Sequence, residues 1–301
     1  MIKILCALLL VTFTGLSSAR ELVTVVFAFG PGDSVANYGR TLVSEANQIQ
    51  NKYRFVFDAK PGAGGTIAAR HVANTPNTIL ATSAAFFVRP NVYPKDSHDI
   101  DQYAGLMIQC TAPMAVASTK YRDWNEVPKD KEITFGITGL GATSHLVSMK
   151  VQEKFPKMIL VPFKSPTDAT LALVSGQIDL SVGFISEFQQ WSNKSSGTRV
   201  NVLGVTGRLP AQGIAPMAKQ GFNDVENMGN PQQLIVPKTV PAAQREEWHS
   251  ILTQAAQATD VQTAYAADSC QPARNSFKET QQLFETQTQF WRKITANVKV
   301  Q

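Results

Sequence analysis

Three stretches of the chain place glycine where a strand should stop and a helix should start. They are Gly30-Pro31-Gly32-Asp33-Ser34, Gly62-Ala63-Gly64-Gly65-Thr66 and Gly139-Leu140-Gly141-Ala142-Thr143-Ser144. A helix start leaves backbone N–H groups without partners and carries a partial positive charge. Glycine removes the side chain that would hold a ligand away from that backbone. The two together capture a carboxylate or phosphate without needing arginine. Ser83, Thr143 and Ser144 add hydroxyl donors. One such turn alone is an ordinary strand-to-helix connection. Three, spread over two α/β units, point to a cleft between them.

Other chemistry is not spelled out by the residues. The four histidines (His71, His98, His145, His249) stand far apart, and none has a metal-ligand spacing. There is no C-x-x-C pair and no G-x-S-x-G elbow. Cys110 with His145 would be a nucleophile and base only if Cys110 left its apolar, strand-like surroundings, where a cysteine is inert packing. Gly62–Ile67 departs from the dinucleotide fingerprint because its sixth position is Ile67, and it lacks the Lys-Ser/Thr ending of a phosphate loop. No metal and no cofactor is expected.

The elements that must position these turns follow an alternating order. Strands are expected at Leu22–Phe29, Phe55–Phe57 and Thr78–Thr82, with helices between them from Asp33 or Ser34 and from Thr66. Val35, Tyr38, Leu42 and Ile49 would form the inner face of the first helix. The pattern recurs: strand Ile133–Ile137, helix Thr143–Phe155, strand Ile159–Pro162, helix Thr167–Val174, and strands Ile178–Phe184, Val200–Val205 and Leu234–Pro237. Long helices at Pro241–Ala258 and Phe277–Val298 close the chain, with Trp291 a core anchor. Strand–helix–strand order predicts parallel sheets with right-handed crossovers. Met107–Ser118, with Pro113 inside it, reads as the first crossing between lobes, and Gln233–Lys238 as the second.

The chain has 301 residues, room for two domains, and its 44% hydrophobic and 17% charged content excludes a disordered chain. Met1–Ala19 reads as a secretory leader: Lys3, an apolar run over Ile4–Phe13, and Ser17-Ser18-Ala19 as the cleavage pattern. Its removal takes Lys3 and Cys6 away, changing the net charge from +5 to +4 and leaving Cys110 and Cys270, which pair or remain separate thiols. The basic residues are scattered, so nucleic acid is not an expected partner. The expected division is residues 1–19 as leader, 20–117 with 237–301 as lobe 1, and 118–236 as lobe 2.

The whole mature sequence resembles the Bug family, the periplasmic solute-binding proteins of tripartite tricarboxylate transporters. Lys60-Pro61-Gly62-Ala63-Gly64-Gly65-Thr66 is similar to the family's N-x-P-G-A-G-G segment. Thr82-Ser83-Ala84 followed by Pro90-Asn91-Val92-Tyr93 is similar to its next strand and loop. Gly139 to Leu146 resembles its G-x-G-x-x-S-H-L helix start, and Val161-Pro162-Phe163-Lys164-Ser165 and Gly176-Gln177-Ile178-Asp179-Leu180 resemble its V-P-Y-K-G and G-Q-V-D-L elements. The resemblance implies a two-lobed Venus-flytrap fold, each lobe a mostly parallel sheet flanked by helices. It implies capture of a small organic acid or amino-acid-like ligand, in the periplasm, by a monomer that serves membrane transporter subunits. Carried onto matching positions, the ligand contacts would be Gly30, Pro31, Gly32, Asp33, Ser83 and Ala84 in lobe 1, and Gly139, Thr143 and Ser144 in lobe 2.

Three positions depart from that pattern. Asp33 replaces the second glycine of the first turn, Ala36 replaces an aspartate, and Gly183 stands where a further aspartate is expected. Asp33 would repel a carboxylate unless it caps the helix, or it would meet an ammonium group. The alternatives to a binding protein are an exported hydrolase-like enzyme, for which no nucleophile–base–orienter trio is evident, and a two-lobed sensor.

Overall fold

A computed structural model describes residues 19–33, 35–138, 142–192 and 199–295. The expected leader, Ala19 excepted, lies outside them, as do Ser34, Gly139 to Gly141, and the end of the last helix near Val298. The first half contains β1 (Glu21–Phe27), α1 (Ala36–Gln48), β2 (Tyr53–Ala59), α2 (Thr66–Ala73), β3 (Thr78–Thr82), α3 (Ala85–Val92) and β4 (Tyr103–Ala112). Next come β5 (Ala115–Ser118), β6 (Ile133–Ile137), α4 (Thr143–Gln152), β7 (Met158–Pro162), α5 (Pro166–Val174), β8 (Leu180–Gly183), α6 (Ile185–Ser192) and β9 (Asn201–Val205). The chain finishes with β10 (Asn230–Pro237), α7 (Ala242–Ala255), α8 (Thr259–Ala266), β11 (Gln271–Pro272) and α9 (Phe277–Thr295).

Two sheets result. One has the order β11-β4-β10-β3-β1-β2 and the other β7-β6-β8-β5-β9. The expected parallel pairing holds for β1 with β2 and β3, and for β6 with β7 and β8. The strands next to them run antiparallel: β10 against β3 and β4, and β5 against β8 and β9. Each sheet is therefore mixed, because chain that enters and leaves a lobe must run both ways through its sheet. All five residues of β3 are buried, as expected for a strand covered on both faces.

Sheet membership fixes where the chain changes lobe. Pro113 separates β4 of the first sheet from β5 of the second, and the return falls between β9 and β10. We therefore propose lobe boundaries near Pro113 and within residues 206–229, ahead of the positions expected at 117/118 and 236/237. Thr206 joins the two passages. Its Oγ1 accepts the Met114 N–H at 2.8 Å and donates to the Met228 carbonyl at 3.2 Å, while its own N–H donates to the Met114 carbonyl at 2.8 Å. Buried at 0% exposure, it satisfies groups that would each cost about 1–3 kcal/mol if left unpaired.

Other expectations are adjusted by the packing. Ile49 lies past the end of α1 and is 40% exposed, so it does not share the inner face of Val35, Tyr38 and Leu42. The segment expected as a loop around Pro90 is the last turn of α3, whose Phe86, Phe87 and Val88 are buried. Burial of those three side chains offsets the helix penalty of Pro90. The helix expected to reach Phe155 stops at Gln152. Trp291 is buried at 3% exposure in the cluster that includes Phe86 and Phe284. Cys110 on β4 and Cys270, one residue before β11, form a disulfide.

Candidate functional site

The C-terminal ends of the parallel strands face the gap between the lobes, and the helices that follow them begin there. A cleft of about 200 Å³ is lined by Gly30, Asp33, Gly62–Gly65, Ser83, Ala142–Ser144, Ser165, Phe184 and Glu187. These residues belong to, or directly precede, the starts of α1, α2, α3, α4, α5 and α6. Six helix starts converge where three were expected. The partial charges of so many starts raise the potential felt by an anion in the cleft.

Several of these starts are already occupied by the protein's own groups. Asp33 Oδ2 accepts the Gly30 N–H at 3.0 Å, and the Asp33 N–H returns to the Gly30 carbonyl at 3.0 Å. Asp33 therefore folds back on its own turn and does not cap α1 through its side chain. Glu187 Oε2 accepts the Phe184 N–H at 3.0 Å at the start of α6. Ser165 Oγ accepts the Asp168 N–H at 3.1 Å at the start of α5. The Ala84 N–H donates to Asn230 Oδ1 at 3.3 Å at the start of α3. The starts of α1, α2 and α4 have no such side-chain cap.

The sequence-predicted residues divide accordingly. Gly30, Asp33, Ser83, Thr143 and Ser144 are brought together in the cleft. Pro31 and Gly32 are exposed and do not line it, because the turn carries them outward and Arg40 holds the Pro31 carbonyl on that side. Ala84 is buried behind the wall, its amide spent on Asn230. Gly139 lies outside the described residues. The Ser144 hydroxyl accepts the Thr138 N–H at 3.0 Å and lies 2.8 Å from the Thr138 hydroxyl, so it also braces the β6–α4 turn. Asp179 is held away from the cleft, on the Thr134 N–H at 2.9 Å and Lys120 Nζ at 3.0 Å.

Sequence reasoning missed Glu187, Asn230, Gln232 and Lys164, all of which line the cleft. Glu187 bears on the departure at Gly183. A Cβ on Gly183 would stand 2.5 Å from Glu187 Oε2, so a carboxylate from the next helix fills the space left by the absent side chain. The signal was legible: an acidic residue three positions beyond Phe184 is placed to accept a helix-start amide. The close approach of the glycine turn also has a physical cause. Gly62 sits at φ +132° and ψ 153°, a conformation open essentially to glycine alone, and a Cβ there would lie 2.6 Å from Ile67 Cδ1.

Burial pushes the Asp33 carboxyl up to about 6 from an ordinary 3.8, partly opposed by the Gly30 amide and reinforced by Asp168 of the facing lobe. The folded protein thus binds more protons here than the unfolded chain between those two values, so stability falls as pH rises through that window. Asp33→Asn should then be more stable than the parent by about 1–3 kcal/mol at neutral pH, the difference fading below about pH 4. Urea unfolding of both proteins at the two pH values checks it, and equal stability at neutral pH contradicts it. His98, held down near 4 by burial, acts in the opposite sense, and its effect cancels in the comparison.

Comparison with known proteins bears on what such a cleft is for. The sequence model of the family described as tripartite tricarboxylate transporter family receptor, TctC, matches residues 42–300. The chain is similar to a UPF0065 protein of Bordetella bronchiseptica, 22% identical over 293 residues, covering 92% of this chain and 86% of that one. Its fold is similar to the solved periplasmic binding protein BugD (TM-score 0.78, 23% identity, 93% of this chain and 99% of that one). It is also similar to MatC of Rhodopseudomonas palustris, solved with bound malate (TM-score 0.77, 19% identity, 92% of this chain and 99% of that one).

Proposed function

The chain belongs to the tripartite tricarboxylate transporter receptor family, and from that premise we propose that its cleft closes on a small carboxylate-bearing solute for delivery to membrane transporter subunits. The observation that carries this reading is that helix starts without a side-chain cap border one cleft from both lobes, α1 and α2 from the first and α4 from the second. A solute carboxylate there contacts both lobes only when they are closed, which is how a ligand favours closure. MatC, of the same fold, holds malate. We read the protein as exported to the periplasm with its leader removed near Ala19, as a monomer, and as a binder without catalysis. Cys110 is committed to its disulfide and does not line the cleft, so it supplies no nucleophile.

The test is calorimetry and thermal shift on the mature protein against mono-, di- and tricarboxylates and amino acids. A true ligand at one hundred times its Kd stabilises the fold by about 2.7 kcal/mol. Ser83→Ala and Thr143→Ala should each weaken its binding about fivefold, the loss of one hydrogen bond of about 1 kcal/mol. If no compound shifts the melting temperature at millimolar concentration, the reading fails.

A further inference from the structure

Beyond the Gly62–Gly64 turn the binding space continues into a second hollow of about 590 Å³, which shares Ala85, Thr138 and Ala142 with the cleft. Its charged residues are Arg89, on α3 of the first lobe, and Lys164, between β7 and α5 of the second. Asp33 and Glu187 line the cleft but not this hollow. Neither cation is spent on a carboxylate. The ion pairs among the described residues include neither Arg89 nor Lys164. The residues outside the described ones contain no Asp or Glu. Arg89 is nonetheless held in one place. Its guanidinium carbon lies 3.9 Å from the centre of the Tyr93 ring. Its stem lies along Gly64, where a Cβ would stand 3.2 Å from Arg89 Cδ. Its Nε is buried without a hydrogen-bond partner, a costly state for a charged donor group. An arginine stacked by its face keeps the edge of its plane for an anion.

We propose that this hollow is a second anion subsite, in which Arg89 and Lys164 take an acidic group at the far end of the solute. The inference rests on the solute-binding reading given above and adds the other half of the ligand to it. The solute has a carboxylate at the helix starts and an apolar spacer past Pro61, Ala85 and Ala142. A further carboxylate, sulfonate or phosphonate then lies between the two cations. One cation comes from each lobe, so closure brings like charges toward the same space, and their repulsion opposes closure of the empty receptor. An anion between them turns that repulsion into attraction to both lobes. A solute with a single acidic group leaves the repulsion standing, so the subsite selects against it as well as for its two-ended counterpart.

Calorimetry on the mature protein tests this with pairs that differ in the far group: succinate with butyrate, glutarate with pentanoate, adipate with hexanoate and pimelate with heptanoate. Phosphonopropionate and sulfopropionate vary the second anion. In at least one pair the diacid is expected to bind roughly tenfold tighter or more, as a charge-assisted contact would give. In Arg89→Met and in Lys164→Met that ratio should shrink to about threefold or less, since methionine keeps an unbranched stem without the charge. The ratio is read within each variant, so a general loss of structure, which weakens both members of a pair, does not imitate the result. A ratio undiminished in either variant would overturn the proposal. Should Arg89→Met fail to fold, Lys164→Met, at an exposed position, decides alone. Tighter binding by phosphonopropionate or sulfopropionate than by any diacid, lost in the same variants, would uphold the subsite and identify its anion. Monoacids binding as tightly as every two-ended compound would overturn the subsite and leave the solute-binding reading intact. No binding by any member at millimolar concentration would defeat both readings together.

Discussion

Replacing Cys110 and Cys270 together with alanine is expected to lower stability by about 2–5 kcal/mol and the melting temperature by about 5–15 °C. The two cysteines are 160 residues apart in sequence, so the bridge removes a large closed loop from the freedom of the unfolded chain. Locally it ties β4, the strand that leads to the first lobe crossing, to the segment around β11, which pairs with β4 through only two residues. Both cysteines are buried, at 0% and 2% exposure, so alanine also leaves a small void. Thermal and urea unfolding of the oxidised parent, the parent treated with reductant under unfolding conditions, and the double variant should give one high value and two low ones. Three equal values would mean that the bridge adds nothing to the fold.

Asp268→Ala carries the second large effect, a loss of about 2–5 kcal/mol. Asp268 is 1% exposed. Its Oδ2 accepts the Tyr38 hydroxyl at 2.6 Å and its Oδ1 accepts the Ser186 N–H at 2.9 Å. Tyr38 lies on α1 of the first lobe and Ser186 on α6 of the second. Burial, then the neighbouring Asp268 carboxylate, hold the Tyr38 hydroxyl far above its usual range, so it remains a donor at every working pH. Alanine would strand both donors, whereas Asp268→Asn keeps one acceptor oxygen and should lose less. The urea midpoint should drop with an unchanged slope. A midpoint shift equivalent to less than about 0.5 kcal/mol would show that water replaces the carboxylate at no cost.

What the sequence disclosed, and what it hid, has a physical pattern. β3 and β6 were bounded to the residue, since a central strand buried on both faces is a continuous apolar run with punctuation at each end. α3 escaped because Pro90 reads as a break, and only the packing of Phe86 and Phe87 around Phe284 overrides it. β10 was expected to begin at Leu234, because Asn230, Gln232 and Gln233 look like loop residues. Asn230 and Gln232 are polar and buried because they line the cleft, and Gln233 because it donates to Gln287 Oε1 at 3.0 Å. The glycine turns gave the location of the site, as backbone chemistry requires glycine wherever it is done. The acidic lining of the cleft was only half visible: Asp33 stood out as a departure, and its counterpart Glu187 sits on α6, which the strand pattern before it concealed. The pairing of Cys110 with Cys270 depends on a distance across the fold that spacing along the chain does not encode.

The Asp268 link has a mechanical consequence for how the two halves part. Tyr38 and Ser186 grip the same carboxylate from opposite sides, close to where β5 meets β8 and β4 meets β11. An opening that keeps this grip must turn about the beginning of α6, which makes Ser186 a fulcrum. Glu187, the next residue, would then travel through a short arc, and an opening of this kind would part the lobes least beside the Asp268 link and progressively more with distance from it.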